Sequence, residues 1–342
     1  RQGVLGALSA AGIRSTGANR AFSETEIDKR SFKHWLAANG FPTPAVRWEG
    51  VHDELLVEAD RLTYPAVVKP DRQVGPPVTV CAGPDDVRQY LNRVVARAPA
   101  ARHGVLFLVE DFVPIVDTMH VVYLTDRRGG QILTSVRTPK DWKVNPQARS
   151  CDVSFCPHPA YGQYRQEIER FVRAVSVLAP HAVGGLQCGI TADGRCFFIE
   201  NNARPGTATF GLVPNAMPCL ADATRTPPLF AAPASAPGGS DAVTAAIALM
   251  HAEPELSVNG ERLEAAFGRD FVPLSLRAGA DGVVSKRDGF PSLLMVRGPT
   301  ARQVADGVDR AATVLAGSAG YLPIDTVGLR AVLTREYAAR DA

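Results

Sequence analysis

The sequence predicts an α+β chain made of several small sheets, and three observations carry that expectation. Its apolar strand segments are short and end at prolines or turn pairs, as Tyr64–Pro70 does. Two strand pairs fold back through glycine-bearing turns, Asp126-Arg127-Arg128-Gly129-Gly130 and Ala192-Asp193-Gly194, which favour antiparallel hairpins. Amphipathic helical segments such as Gln163–Leu178 alternate with these strands.

In chain order, residues 3–12 have helical spacing and Ile13 to Gly17 reads as a short strand, together the expected tail of an α/β domain whose front is absent. Ser23 with Glu26 forms a capping box, so one helix is expected over Ser23–Asn39 with Gly40 at C′. The run Phe41-Pro42-Thr43-Pro44 then breaks the chain. A short helix is expected at Leu55–Leu62, a buried strand at Tyr64–Pro70, and its return at Val78–Cys81. Gly83-Pro84-Asp85-Asp86 opens a helix to about Ala98, and Val105–Glu110 is an apolar strand ending in acids. Hairpins follow at His120–Tyr123 with Gln131–Val136 and at Val183–Ile190 with Arg195–Glu200. Residues 221–240, rich in Pro, Ala, Gly and Ser, read as a linker. Beyond it Val243–Met250 and Ser292–Val296 are strands, and Thr300 caps a helix over Ala301–Leu315. The expected division is a tail at 1–17, a body at 18–220 with a subdomain over about 62–112, the linker, and a C-terminal α+β domain at 241–342.

The 342 residues suffice for more than one core. With 46% hydrophobic and 21% charged residues the composition is that of a globular protein. A net charge of +2, without Lys/Arg clusters interleaved with aromatics, gives no sign of nucleic-acid binding. No apolar run reaches the ~18 residues of a membrane span. The segment Arg1 to Gly17 has no long apolar stretch or cleavage pattern, so a cytoplasmic location is expected. The six cysteines are scattered without a C-x-x-C pair, which favours free thiols. Only six of the 37 basic residues are lysine, which makes Lys29, Lys33, Lys69 and Lys143 informative.

Three motifs bear chemistry. In Phe197-Phe198-Ile199-Glu200-Asn201-Asn202-Ala203-Arg204, strand alternation points Glu200 and Asn202 the same way, with Arg204 close behind. A carboxylate and an amide oxygen are hard ligands suited to Mg²⁺, and Arg204 is a fixed cation for a transferring phosphoryl group. A strand that merely leaves its sheet into a polar loop gives the same spacing. Lys69, at the end of an apolar strand, is costly to bury unless it meets an anion, or else it snorkels to the surface. Leu106–Phe112, with Glu110 and Asp111 and then Asp117, can face a base and ribose, or its acids are simply solvated.

Together and in this order, these motifs resemble the ATP-grasp superfamily, and within it most of all glycinamide ribonucleotide synthetase (phosphoribosylamine–glycine ligase). Similar stretches include Asp28-Lys29-Arg30-Ser31-Phe32-Lys33, Asn39 to Thr43, Asp141-Trp142-Lys143, Gly185-Leu186 through Arg204, and Pro291 through Asp325. The resemblance implies an ATP-grasp fold with the remnant of a preceding α/β domain and a small C-terminal α+β domain. It implies ATP and Mg²⁺ (with Mn²⁺ as a substitute) as cofactors. Lys29 and Lys69 would contact phosphates, Glu110 the base and Asp117 the ribose, while Glu200 and Asn202 would hold the metal. Arg204 and Lys143 would be the catalytic cations. A small-molecule carboxylate would be phosphorylated and then joined to an amine, with no nucleic-acid or membrane partner, in a monomer or homodimer.

The sequence departs from that family at Asp71-Arg72-Gln73-Val74-Gly75-Pro76-Pro77-Val78, where two prolines occupy the expected glycine-rich phosphate loop. Thr207-Ala208-Thr209 replaces the family's acids, and Ile324-Asp325-Thr326-Val327-Gly328 lacks its arginine. The first expectation is therefore an amide-forming ligase with another substrate pair, in a specialised biosynthetic pathway. The alternatives are the purine-pathway ligase itself and a nucleotide-binding protein without turnover.

Overall fold

The computed structural model describes residues 20–71, 78–97, 99, 101–125, 129–138, 153–179, 182–203, 243–249, 258–259, 277–278, 283–285, 292–316 and 324–341. The expected tail at 1–17, the loop at 72–77, Lys143, Arg204 and the linker at 221–240 lie outside the described residues.

Two helices, Arg20–Ile27 (α1) and Lys29–Ala38 (α2), replace the single helix expected over Ser23–Asn39. The break falls at Asp28, whose carboxylate accepts from the Ser31 N–H at 2.7 Å and caps α2. The Lys29 and Arg30 N–H groups donate to the carbonyl and carboxylate of Asp71 at 3.4 and 2.8 Å. A long-range partner thus fixes the second helix start, and α1 already begins before Ser23. α2 ends as expected at Gly40, where φ is +67° and the Gly40 and Phe41 N–H groups donate to the Ala37 and Leu36 carbonyls at 3.0 and 2.9 Å.

A four-stranded antiparallel sheet follows, built from Val46–Val51 (β1), Ala66–Pro70 (β2), Thr79–Cys81 (β3) and Leu106–Asp111 (β4) in the order β1-β4-β2-β3. Helices His52–Glu58 (α3) and Pro84–Arg97 (α4) bury Leu55, Tyr90, Leu91 and Val94 against Ala66, Val68, Phe107 and Val109. A single turn, Ala101–Gly104 (α5), leads into β4. This subdomain starts earlier than the expected residue 62, because β1 pairs with β4.

The larger sheet contains Ile115–Leu124 (β5), Gln131–Arg137 (β6), Val153–Cys156 (β7), Val183–Thr191 (β8), Cys196–Asn202 (β9), Val243–Leu249 (β10) and Ser292–Gly298 (β14), in the order β14-β10-β7-β6-β5-β8-β9. Short strands Val258–Asn259 (β11), Arg277–Ala278 (β12) and Val283–Ser285 (β13) pair separately. The strands beyond the linker therefore extend the main sheet: β10 pairs with β7, and β14 with β10. One face of this sheet is covered by helices. Tyr161–Leu178 (α6) packs Ile168, Phe171, Val172 and Val175 on Met119, Val121, Leu186, Cys188 and Phe198. Ala301–Leu315 (α7) and Thr326–Asp341 (α8) cover Phe155, Val243 and Val296. Phe171 is the hub of an aromatic cluster, with ring centroids of Phe32, Trp35, Phe41, Tyr123 and Phe198 within 5.3–6.3 Å. Among the described residues no helix is long and apolar enough to cross a membrane, and Cys81, Cys156, Cys188 and Cys196 are free thiols.

Candidate active site

Strand alternation separates core from site in the small sheet. Val68 and its neighbours Phe107 and Val109 face α3 and α4, so Lys69 and Glu110 face the other way. Both are buried, and Lys69 Nζ stands 2.5 Å from Glu110 Oε1. That contact is an ion pair without hydrogen-bond alignment. The second carboxylate oxygen stands 3.5 Å from Lys33 Nζ, which reaches in from α2. Lys29, one turn earlier on α2, donates from Nζ to the Pro70 carbonyl at 3.2 Å, at the end of β2.

Three ammonium groups thus gather around one buried carboxylate. Burial, and then the charge of Lys69, lower the pKa of Lys29, against the pull of Glu200, Asp71 and Glu110. The same two causes lower Lys33 to about 7, with Glu110 and Glu200 opposing them. The mutual repulsion of lysines held this close and partly desolvated favours a polyanion, which relieves it on binding. The N–H groups of Lys29, Arg30 and Ser31 are already bonded to Asp71 and Asp28, so the lysine side chains supply the attraction.

β9 brings the oxygen ligands. Its pairing with β8 slips between Gln187 and Cys188: Cys188 opposes Phe198 while Gln187 opposes Glu200, leaving Ile199 as the extra residue of a β-bulge. The bulge resets the alternation. Phe198 and Asn201 both point to the helix-covered face, where Phe198 joins the aromatic cluster. There Asn201 accepts from Tyr123 Oη at 2.6 Å and donates to Thr25 Oγ1 at 2.7 Å. Glu200 and Asn202 share the opposite face. Across the sheet, Glu200 is level with Gln187 and His120, and Asn202 with Gly185. A Cβ on Gly185 would lie 2.3 Å from His120 Nε2, so glycine there leaves space for the imidazole.

The Glu200 and Asn202 side chains make no hydrogen bond or ion pair among the described residues, while Glu200 is within electrostatic reach of Lys29 and Lys33. No group of three or more His, Cys, Asp or Glu among the described residues could hold an ion by itself. The two hard oxygens therefore fit a cation such as Mg²⁺ that takes most of its shell from phosphate and water.

The chain is similar to known ligases in sequence and in fold. The chain is 30% identical over 226 residues to a D-alanine–D-alanine ligase of Chromohalobacter salexigens, covering 62% of the chain and 66% of that relative. Its structure superposes on the phosphoribosylamine–glycine ligase of Thermotoga maritima with a TM-score of 0.66 at 15% identity, covering 90% of this chain and 80% of the other. The chain is thus similar to ligases of the ATP-grasp superfamily in sequence and in fold. No family model matches the sequence. The ATP-grasp fold is shared with an L-amino acid ligase of Bacillus licheniformis, at a TM-score of 0.64 and 18% identity, over 90% of this chain and 76% of that one. It is also shared with the biotin carboxylase domain of a Hydrogenobacter thermophilus 2-oxoglutarate carboxylase, solved with MgADP, ADP and bicarbonate (TM-score 0.64, 16% identity, 98% of this chain and 75% of that one). The chain spans about two thirds of the length of the curated relatives it matches.

Of the residues expected in this ATP-grasp site, the structure brings together Lys29, Lys69, Glu110 and Glu200, with Asn202 beside Glu200. Two are placed otherwise than expected. Glu110 is only 3% exposed and lies between two lysines, not open to a base. Asp117 shares the helix-covered face with Met119 and Val121, opposite to Glu200. Its oxygens each accept from Arg137 Nε at 3.0 Å, and one lies 3.3 Å from His158 Nε2; Arg137 in turn meets Glu336 of α8 at 3.2 Å. Burial would raise the Asp117 pKa, but His158 and Arg137 together lower it. Lys143 and Arg204 lie outside the described residues. Lys33 and Thr43 lie in stretches that resemble the family, but the sequence assigned neither a role in the site. The available signal for Lys33 was a lysine one helical turn after Lys29 in a lysine-poor chain.

Proposed function

We propose that this chain is an ATP-dependent carboxylate–amine ligase that couples amino acids. The observation that carries the proposal is the convergence of Lys29 and Lys69 beside an outward-facing Glu200–Asn202 pair, where the two sheets meet. Phosphates of ATP would neutralise the lysines, and Glu200 and Asn202 would hold the cation that accompanies them. A bound Mg²⁺ supplies charge neutralisation across the phosphates.

A carboxylate oxygen of the donor attacks the γ-phosphorus, ADP leaves, and an acyl phosphate forms. The amine nitrogen of the acceptor then attacks the acyl carbon, inorganic phosphate leaves, and the nitrogen loses a proton. The protein's part is positioning and electrostatic stabilisation, with no protein nucleophile. Arg204 is proposed to steady the transferring phosphoryl group, with Lys143 as the second catalytic cation. The amino-acid class follows from the names of the similar proteins, which join D-alanine to D-alanine, L-amino acids, or glycine to phosphoribosylamine. The replaced acids at Thr207-Ala208-Thr209 favour a pair other than that of the purine pathway.

The test is ADP release with Mg·ATP and panels of D- and L-amino acids, singly and in pairs. Release that requires a particular carboxylate and amine supports the ligase. Tight Mg·ATP binding without release for any pair would favour nucleotide binding alone.

A further inference from the structure

Lys33 touches three other parts of the fold at once. From α2 its ammonium donates to Thr43 Oγ1 at 2.8 Å and to the Phe198 carbonyl at 3.4 Å, and it stands 3.5 Å from Glu110 Oε2. Thr43 Oγ1 donates to the same carbonyl at 2.9 Å, and the Phe198 N–H donates to the Pro42 carbonyl at 2.7 Å. The Phe198 carbonyl immediately precedes the bulge at Ile199, which turns Glu200 and Asn202 outward. The other oxygen of Glu110 meets Lys69 at 2.5 Å. A line of polar contacts therefore runs from the bulge of β9 through Lys33 and Glu110 to Lys69 on β2, joining one sheet to the other. The charged groups that face Lys33 are Glu110 from β4, Lys69 from β2 and Glu200 from β9. Lys33 and Glu110 are 2% and 3% exposed, so neither is open to a ligand. A buried pair of this kind is a weak source of stability, because desolvation consumes most of the attraction. What it supplies is a fixed geometry.

We propose that Lys33 and Glu110 are positioning residues that set Lys69 against the Glu200–Asn202 strand, so that the phosphate-contacting ammonium and the metal-ligating oxygens meet a single ligand. This rests on the nucleotide reading given above. Charge alone makes the opposite forecast: removing the Glu110 carboxylate beside three lysines would tighten the binding of a polyanion.

The test is calorimetric titration of Mg·ATP into the full chain as wild type, Glu110→Gln, and the double variant Lys33→Met/Glu110→Leu, on both sides of neutral pH. The double variant removes one charge of each sign and fills the space with apolar atoms, so net charge is unchanged while Lys33 is protonated; Lys69 loses its Glu110 partner in both variants, and circular dichroism before titration checks that each is folded. Both variants are expected to bind about tenfold more weakly or worse. The advantage of the wild type over the double variant should shrink as pH rises through about 7, where Lys33 loses its proton. Comparing the two proteins cancels the titration of the nucleotide itself. Unchanged or tighter binding by the double variant, with wild-type binding intact, overturns the positioning role and leaves the nucleotide reading standing. No binding by the wild type removes both. If Glu110→Gln fails to fold, the double variant decides alone.

Discussion

Lys33→Met should flatten the pH dependence of unfolding between about pH 7 and pH 10.5. Burial, and then the charge of Lys69, hold the folded ammonium's pKa near 7 against its ordinary 10.5. Between these values the unfolded chain binds a proton that the folded chain does not. Wild-type stability therefore rises with pH through this window, and the penalty is fully present below it. The difference corresponds to about 5 kcal/mol at most. The hydrogen bond that methionine gives up to Thr43 is worth about 1–2 kcal/mol and does not follow that slope, so the protonation effect dominates the comparison. Urea unfolding of both proteins at steps across the window gives the difference directly. Parallel stability curves for the two would refute the buried, poised lysine.

Glu200→Ala should lower ligase turnover about a hundredfold or more, since it deletes the only carboxylate of the oxygen pair; ADP release under saturating Mg·ATP measures this. Phe171→Ala removes the ring that contacts five others and should cost about 3–5 kcal/mol in chemical denaturation. Asp117→Asn leaves His158 without its carboxylate and Arg137 with Glu336 alone, and should cost about 3 kcal/mol near neutral pH. Because the Asp117 pKa is lowered from 3.8, its contribution is present above that value and is lost as pH falls below it; acid unfolding of wild type and variant should therefore converge.

Much of the fold was legible where local chemistry decides. Thr300 caps α7 through the Gln303 N–H at 3.2 Å, and Ala301–Leu315 is the helix expected. The β8–β9 hairpin turns at Gly194 with φ +78°, as Asp193-Gly194 implied. Local patterns misled where long-range partners decide. The Ser23–Glu26 box has the same form as a helix start, but Asp71, far along the chain, anchors the start at Lys29. β1 escaped notice because it is an edge strand of mixed polarity that exists by pairing with β4. The Glu200–Asn202 spacing was legible, yet its outward direction depends on a bulge that the sequence does not mark. Simple alternation would have placed Phe198 and Glu200 on one face. Burial of Glu110 between two lysines and of Asp117 against Arg137 is equally invisible in the motifs, because each depends on residues from other elements.

Titration of ADP with Mg²⁺, and of ADP with the metal chelated, into wild type and Glu200→Ala/Asn202→Ala most directly tests whether these oxygens receive a nucleotide-bound metal. Wild type should bind Mg·ADP about tenfold or more tightly than ADP alone, and the variant should bind both forms alike. Equal affinity of the wild type for the two forms, or an undiminished metal effect in the variant, would contradict the assignment of Glu200 and Asn202.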